Sequence, residues 1–160
     1  MALPAEKTLL VISTMGVPLY SARNLTIDIT PIEQAKRIRR TVNMEARSSS
    51  IPAAQLYDIE IKCPGDVNSA PPAIDGNWPG AVFDIDVPYT VMAYKTATGT
   101  PGRTVVSGSS VVDIYAGIAG SFTRYRPRLT CMFVDFSMTA AEYQAGVEWS
   151  LKFTEQRIVP

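Results

Sequence analysis

The sequence predicts an all-β fold: an antiparallel β-sandwich or barrel of about eight strands, with long Pro/Gly-rich loops and one or two short helical turns. The first observation is the alternation of apolar and polar side chains in three segments, because successive side chains of a strand point to opposite faces. The second is the scarcity of amphipathic helical periodicity. The third is the clustering of many of the 12 prolines and 10 glycines between apolar segments, which is typical of loops.

The three alternating segments are the clearest strands. Apolar side chains occupy every second position of residues 57–63, 83–87 and 147–153, so each segment is expected to be a half-buried antiparallel strand. Further strands are expected near residues 9–13, 25–29, 38–42, 105–112 and 122–134. The alternation predicts a common core that includes Ile59, Ile61, Phe83, Ile85, Trp149, Leu151 and Phe153.

Two short helical turns and four loops are expected between these strands. Residues 30–33 and 139–142 each place a threonine three positions before a glutamate, which is the pattern of a capping box. The loops are expected at residues 48–54, 64–80, 96–103 and 116–120, where small residues, proline and glycine concentrate. Of these, residues 96–103 resemble a flexible hairpin tip.

Composition indicates one globular domain over residues 1–160, with residues 1–18 as a candidate extended N-terminal arm. Lys and Arg together number 15, as do Asp and Glu, so the formal net charge is zero. That balance argues against direct nucleic-acid binding. No apolar run approaches the length of a membrane span, so membrane insertion is not expected. No signal-peptide pattern is present, which predicts synthesis and retention in a reducing cytoplasm.

The residue types needed for many catalytic sites are missing. The chain has no histidine and only two cysteines, which excludes histidine-based nucleophile activation and four-cysteine zinc sites. Carboxylates such as Asp84 with Asp86, or Asp75, could serve a glycosidase, but a structural role on a strand is favoured. The sequence therefore predicts no enzyme, no catalytic residue, no cofactor and no metal. Cys63 and Cys131 lie at apolar alternating positions and are expected to be buried free thiols.

Two rows of arginines at strand spacing are the main candidates for an interaction surface. Arg124, Arg126 and Arg128 occupy alternate positions, as do Arg37 and Arg39. Such rows bind phosphate, lipopolysaccharide or an acidic subunit face, or else they form the exposed side of a sheet laddered with Asp58, Glu60, Asp84 and Asp86. The zero net charge favours a structural or inter-subunit role. Charge reversal of the first row is expected to spare the fold and to impair assembly.

The loop over residues 71–80 is a second candidate surface. Asp75, Asn77 and Trp78 lie in its irregular, Gly/Pro-rich part. The Trp78 side chain is expected either to be buried in the core beneath the loop or to bind a partner protein or a sugar.

Most of the chain between residues 19 and 155 resembles a family of small virion proteins of long-tailed double-stranded DNA bacteriophages and related prophages. The resemblance rests on a Tyr-Ser-Ala-Arg opening, an Arg-Arg-Thr-Val-Asn strand, a Pro-Pro-Ala-Ile-Asp-Gly-Asn-Trp-Pro-Gly loop, a Tyr-Arg-Pro-Arg-Leu strand and a terminal Trp-Ser-Leu strand. These motifs occupy residues 20–23, 39–43, 71–80, 125–129 and 149–151. Met44 stands where a glycine usually follows the asparagine, and residues 1–18 and 96–120 lack the similarity.

The resemblance implies a structural component of a virion, in the tail or baseplate, that is made in the host bacterial cytoplasm and assembles with other phage virion proteins. A homo-oligomeric ring or lattice is the implied assembly. A capsid decoration or cement protein is the alternative within the same class. A carbohydrate-binding module for a host-surface glycan is the alternative from another class, and it would depend on an exposed Trp78.

Overall fold

The computed structural model describes residues 8–18, 25–33, 37–49, 55–65, 70–74, 79–117, 119–141 and 146–156. Within these residues the chain forms twelve antiparallel strands and no helix, which confirms the all-β prediction. The strands are β1 Val11–Ile12, β2 Thr26–Pro31, β3 Ile38–Arg40, β4 Ala46–Ser48, β5 Tyr57–Pro64, β6 Val82–Asp86, β7 Met92–Lys95, β8 Thr104–Val105, β9 Val111–Ile114, β10 Ser121–Tyr125, β11 Pro127–Thr139 and β12 Glu148–Glu155.

The strands form one large sheet, one small sheet and one separate hairpin. The large sheet has the order β1-β6-β11-β12-β5-β2, and β8 pairs with the beginning of β11. The small sheet has the order β7-β10-β9, and β3 pairs with β4. The large sheet is open at β1 and β2, so the fold is sandwich-like and not a closed barrel.

Strand β11 is the longest strand and the centre of the large sheet. It pairs with β6 from Arg128 to Met132 and with β12 from Cys131 to Thr139. The register with β12 shifts between Phe133 and Asp135, which is the signature of a β-bulge. A bulge bends and twists its strand, and here it leaves Val134 exposed on the outer face of the sheet.

The core lies on one face of β5, β6, β11 and β12, along which buried side chains alternate with exposed or half-buried ones. The rings of Phe83, Phe133 and Phe153 meet at its centre, with centroids 5.4 to 6.3 Å apart. The predicted common core is confirmed, because all seven side chains expected in it belong to one buried cluster.

The N-terminal segment contributes to this core. Leu10, Ile12 and Met15 are each no more than 2% exposed, and β1 pairs with β6. Two hydrogen bonds join the segment to β6. The backbone N–H of Ser13 donates to the carbonyl of Asp84 at 2.9 Å, and the backbone N–H of Asp84 donates to the hydroxyl of Ser13 at 2.8 Å. Residues 8–18 of the expected N-terminal arm are therefore packed against the sheet, and residues 1–7 lie outside the described residues.

The single strand expected over residues 122–134 is in fact two strands in two sheets. Strand β10 ends at Tyr125 and β11 begins at Pro127. Between them, the backbone N–H of Arg126 donates to the hydroxyl of Ser109 at 3.1 Å and not to a neighbouring strand. The nitrogen of Pro127 has no hydrogen to donate. The ladder of the small sheet therefore stops here, and that of the large sheet begins.

The strand expected over residues 105–112 also divides, into β8 and β9. Between them Gly108 has a φ of 71°, a conformation that glycine adopts without steric cost. The Ser109 hydroxyl donates to the carbonyl of Val106 at 2.6 Å. A tight turn thus replaces the expected ladder.

The prediction of a helical turn at residues 30–33 is wrong for its first two residues. Thr30 and Pro31 belong to β2, where they pair with Asp58 and Tyr57 of β5. Strand β2 is at the edge of the sheet, where proline is tolerated because one side of the strand makes no ladder. In the second expected turn, Thr139 is the last residue of β11, and Glu142 lies outside the described residues.

Truncation of Trp149 is expected to destabilise the protein strongly. Its side chain is 3% exposed within the core cluster, so Trp149→Ala should lower the free energy of unfolding by roughly 3–5 kcal/mol. Urea unfolding followed by circular dichroism measures the change. Lys152→Ala, on the opposite face of the same strand, is the matched control and should cost less than about 1 kcal/mol. Equal losses for the two variants would contradict the assignment of the two faces.

The prediction of two buried free thiols is confirmed for Cys63 and Cys131. Burial raises the pKa of the Cys131 thiol to about 12, and the thiolate is the form that reacts with alkylating reagents. We expect Cys131 to resist iodoacetamide at pH 8 in the native protein and to react promptly after denaturation in urea. Mass spectrometry of samples taken at timed intervals measures the extent of Cys131 labelling in the native and in the denatured protein. Rapid labelling of Cys131 in the native protein would contradict its placement.

Candidate interaction surfaces

Arg128 is bound by a carboxylate of its own chain. It lies directly opposite Asp86 in the ladder between β11 and β6. Its Nε donates to Oδ1 at 2.5 Å and its Nη2 donates to Oδ2 at 2.7 Å, which is a bidentate pair. The hydrogen bond with Asp86 raises the pKa of Arg128. Because the Asp86 side chain is only 11% exposed, the arginine compensates a charge that little water can reach.

The other two arginines of the row are also engaged within the chain. Arg126 donates from Nε to the carbonyl of Val87 and from Nη2 to the carbonyl of Leu9, both at 2.8 Å. It thereby joins the end of β6 to the N-terminal segment. Arg124 of β10 pairs with Asp113 of β9. The row therefore stabilises the junction at which the chain passes from the small sheet to the large one.

These contacts show that the predicted ladder between the arginine row and four acidic residues is partly wrong. Of the four acidic residues expected to face the row, Asp86 pairs with an arginine, whereas Asp84 accepts a hydrogen bond from the hydroxyl of Thr130 at 2.7 Å. Contrary to the expectation from sequence, charge reversal of the row should destabilise the fold, because a glutamate at position 128 would face Asp86. A subunit contact of Arg124, Arg126 and Arg128 stays a prediction.

The outer surface of the large sheet carries what we call the acidic face: the carboxylates of Asp28, Asp58, Glu60 and Asp135 together with the ammonium groups of Lys62 and Lys152. Lys62 Nζ lies 2.9 Å from Glu60 Oε2 and 3.5 Å from Asp28 Oδ2. The hydrogen bond with Glu60 is the largest cause of a raised pKa for Lys62. Four carboxylates and two ammonium groups leave a net negative charge on this face. Glu60 thus pairs with Lys62 and Lys152, and Asp58 lines the same cleft as Lys152, so the predicted ladder of these two carboxylates with the arginine row is wrong.

A cleft of about 320 Å³ opens on the acidic face. Asp28, Asp58, Glu60 and Lys152 contribute to its rim and walls, and Val134 of the β11 bulge is among its apolar lining residues. The cleft therefore combines negative charge with an exposed apolar side chain.

Strands β3 and β4 form what we call the basic hairpin, residues 37–49. All six side chains of its two strands are exposed, including that of Arg39, and Arg37 is exposed just before β3. The hairpin contains four arginines, at positions 37, 39, 40 and 47, and one acidic residue, Glu45. The sequence correctly placed Arg37 and Arg39 near each other, although Arg37 precedes the strand.

The turn of the basic hairpin contains a backbone conformation that is uncommon for its residue. Met44 donates its N–H to the carbonyl of Thr41 at 3.0 Å, and Thr41 donates its own to the carbonyl of Glu45 at 2.9 Å. Met44 has a φ of 64°, which places it in the left-handed region. Three-residue hairpin loops commonly require this conformation at that point, and glycine is the residue that adopts it freely.

The central part of the third candidate surface, with Asp75, Asn77 and Trp78, lies outside the described residues, so its proposed contacts stay a prediction. The C-terminal flank of that loop is anchored to the core strand β11. Gly80 donates its N–H to the carbonyl of Phe133 at 2.7 Å, and Phe133 donates to the carbonyl of Ala81 at 2.8 Å.

The sequence did not identify the most buried ion pair that the structure describes, Arg103 with Glu155. The two side chains are 20% and 6% exposed. Arg103 donates from Nε to Oε1 at 2.5 Å and from Nη2 to Oε2 at 2.9 Å, and also to the carbonyl of Gln55 at 2.5 Å. Glu155 additionally accepts the N–H of Tyr57 at 3.1 Å. Arg103 is therefore a fixed anchor and not part of a flexible hairpin tip.

Asp86 is bound by Arg128 and Asp84 by Thr130, so the pair considered for glycoside hydrolysis is engaged in strand contacts. Among the residues described, no three His, Cys, Asp or Glu side chains are grouped so as to hold a metal ion. Nor does that part of the chain form a helix long and apolar enough to cross a membrane.

Comparison of the chain with protein-family models, with curated proteins and with solved structures gave no match in any of the three.

Loss of Arg103 is expected to destabilise the fold, because it leaves the buried carboxylate of Glu155 without its ionic partner. Arg103→Met should lower the free energy of unfolding by about 3 kcal/mol. Arg47→Met is the matched control, because Arg47 pairs with Glu45 at 3.8 Å with both side chains mostly exposed, and it should cost at most about 1 kcal/mol. Urea titrations of both variants measure the difference. Similar losses would contradict a stabilising role for the Arg103–Glu155 pair.

Proposed function

We propose that the protein is a structural component of a bacteriophage virion, in the tail or baseplate, that assembles through symmetric contacts between copies and with other virion proteins. The observation that carries the proposal is the position of the Arg-Arg-Thr-Val-Asn motif, residues 39–43. This part of the resemblance to phage virion proteins lies in the basic hairpin, whose strand side chains are all exposed. A motif at such a position is not needed to fill the core, so it favours a shared intermolecular contact.

The other motifs that the structure describes support the same proposal less directly. The motif at residues 125–129 includes buried Tyr125 and Leu129, and the motif at residues 149–151 includes buried Trp149 and Leu151. Similarity at those positions is accounted for by the fold. The hairpin is different, because a two-stranded hairpin by itself is at best marginally stable in water and gains stability from packing against a partner.

The proposal includes no catalytic role, no cofactor and no direct nucleic-acid contact. The protein would be made in the host bacterial cytoplasm, where buried free thiols persist, and would then be incorporated into the particle. A capsid decoration or cement protein is the second place in the particle that fits a neutral β domain with exposed strand edges. A glycan-binding role would depend on Trp78, for which the described residues offer no support.

Copy number in purified particles tests the proposal. Quantitative mass spectrometry of virions from the genome that encodes the chain should detect it at a fixed ratio to the major capsid protein. A ratio equivalent to about a dozen copies or fewer supports a baseplate position, whereas hundreds support a tail tube or capsid coat. Complete absence of the chain from purified particles would contradict a structural role in the virion.

A further inference from the structure

We infer that the basic hairpin of one copy binds the acidic face of a second copy. This inference rests on the proposed function and deepens it, because it names the two surfaces through which copies would meet. The partner is a second molecule of the same chain, and the recognition is electrostatic with an apolar contact at the hairpin tip.

The first observation is that the charges of the hairpin oppose its own stability. Arg39 lies directly opposite Arg47 in the ladder between β3 and β4, and like charges at such positions are destabilising. The one ion pair within the hairpin, Arg47 with Glu45 at 3.8 Å, is mostly exposed, so it offsets little of the repulsion between the two arginines. Arginines in this arrangement are better accounted for by an anionic partner than by the fold of the hairpin.

The second observation is that the hairpin tip exposes apolar side chains at a conformational cost. Val42 is fully exposed and Met44 is 76% exposed. Met44 also has the left-handed φ of 64°, which glycine would adopt without strain. Strained residues often mark binding sites. The methionine side chain therefore has a role that glycine could not fill, and contact with an apolar surface is such a role.

The acidic face offers the complementary surface. Its cleft of about 320 Å³ has Asp28, Asp58 and Glu60 beside Val134. The carboxylates are placed to accept guanidinium groups, which bind carboxylates bidentately, while Val134 offers an apolar contact for the hairpin tip. The hairpin and the face thus match in both charge and apolar character.

Several observations favour a second copy over a nucleic acid. The four arginines and one glutamate of the hairpin give it a positive charge, yet the whole chain has a formal net charge of zero. The compensating negative charge includes the acidic face, which would repel a polyanion. A contact between two different surfaces of identical chains is heterologous, and it builds rings or filaments. Such symmetry suits a component of a virion.

Complementary charge reversal tests the contact. The hairpin variant carries Arg39→Glu and Arg47→Glu, and the face variant carries Asp28→Lys and Asp58→Lys. Sedimentation velocity at low salt should show self-association of the wild type, and each variant alone should associate at least about tenfold more weakly. An equimolar mixture of the two variants should recover association, because each hairpin then meets a face of opposite charge. Circular dichroism confirms that both variants are folded.

Two further variants separate charge from shape. Arg39→Lys with Arg47→Lys keeps the charge but loses the bidentate geometry, so it should weaken association less than charge reversal does. Met44→Gly should leave thermal stability equal to or above that of the wild type, because it relieves backbone strain, but should weaken association several-fold. A Met44→Gly variant that associates like the wild type would remove the apolar part of the inference.

The outcomes distinguish this contact from the proposed function. A wild-type chain that stays monomeric up to about 1 mM, or a mixture of variants that does not recover association, overturns the contact even if the chain is abundant in purified particles. Binding of a duplex DNA oligonucleotide that the hairpin variant loses and the face variant keeps would also overturn it in favour of a nucleic-acid partner. Association that follows the charge pattern, with the chain absent from particles, supports the contact and contradicts the virion role.

Discussion

The passage of the chain from β10 to β11 is the constraint on which the rest of the structure depends. Every second side chain from Thr123 to Leu129 is buried, namely those of Thr123, Tyr125, Pro127 and Leu129. These residues nevertheless belong to two different sheets. The intervening side chains are the arginines of the row, which therefore all lie on the other side of the same extended run. Their charges are compensated at the junction itself, by Asp113 and Asp86 and by two backbone carbonyls. The contacts of Arg126 also fix the N-terminal segment, whose Leu10, Ile12 and Met15 complete the core.

Among the arginines that the structure describes, two groups have different roles. Arg103, Arg126 and Arg128 are bound by buried or half-buried acceptors, and they stabilise the chain that contains them. Arg39 and Arg47 are exposed and face each other across a hairpin. The proposal of an assembling virion protein uses the second group, because those side chains face like charge in the single copy and the one ion pair between them and the hairpin's glutamate, Arg47 with Glu45, is mostly exposed.

Much of the fold was predictable from sequence, because the strongest signal was burial on one face of a strand. The alternation in residues 57–63, 83–87 and 147–153 identified β5, β6 and β12 and their core side chains. The same signal could not show that the run over residues 122–134 changes sheets, because alternation of burial does not reveal which strand is the hydrogen-bonding neighbour. The change of sheet at Pro127 was detectable only from the missing N–H.

The candidate surfaces were less predictable for the same reason. Spacing placed Arg124, Arg126 and Arg128 on one side, but it could not say which acceptors they meet. Glu155 lies 52 residues from Arg103, and no local pattern links two side chains that only the fold brings together. Conversely, spacing identified Arg39 together with Arg37 but not Arg47, and only the hairpin register shows that Arg39 and Arg47 oppose each other.

The most direct test of this division of roles compares one arginine from each group by thermal unfolding. Arg128→Glu places a carboxylate opposite the largely buried Asp86, whereas Arg39→Glu replaces one of two opposed arginines on an exposed hairpin. Arg128→Glu should lower the free energy of unfolding by about 2 kcal/mol. Arg39→Glu should leave the melting temperature unchanged or raise it slightly. A stable Arg128→Glu variant together with a destabilised Arg39→Glu variant would contradict the account.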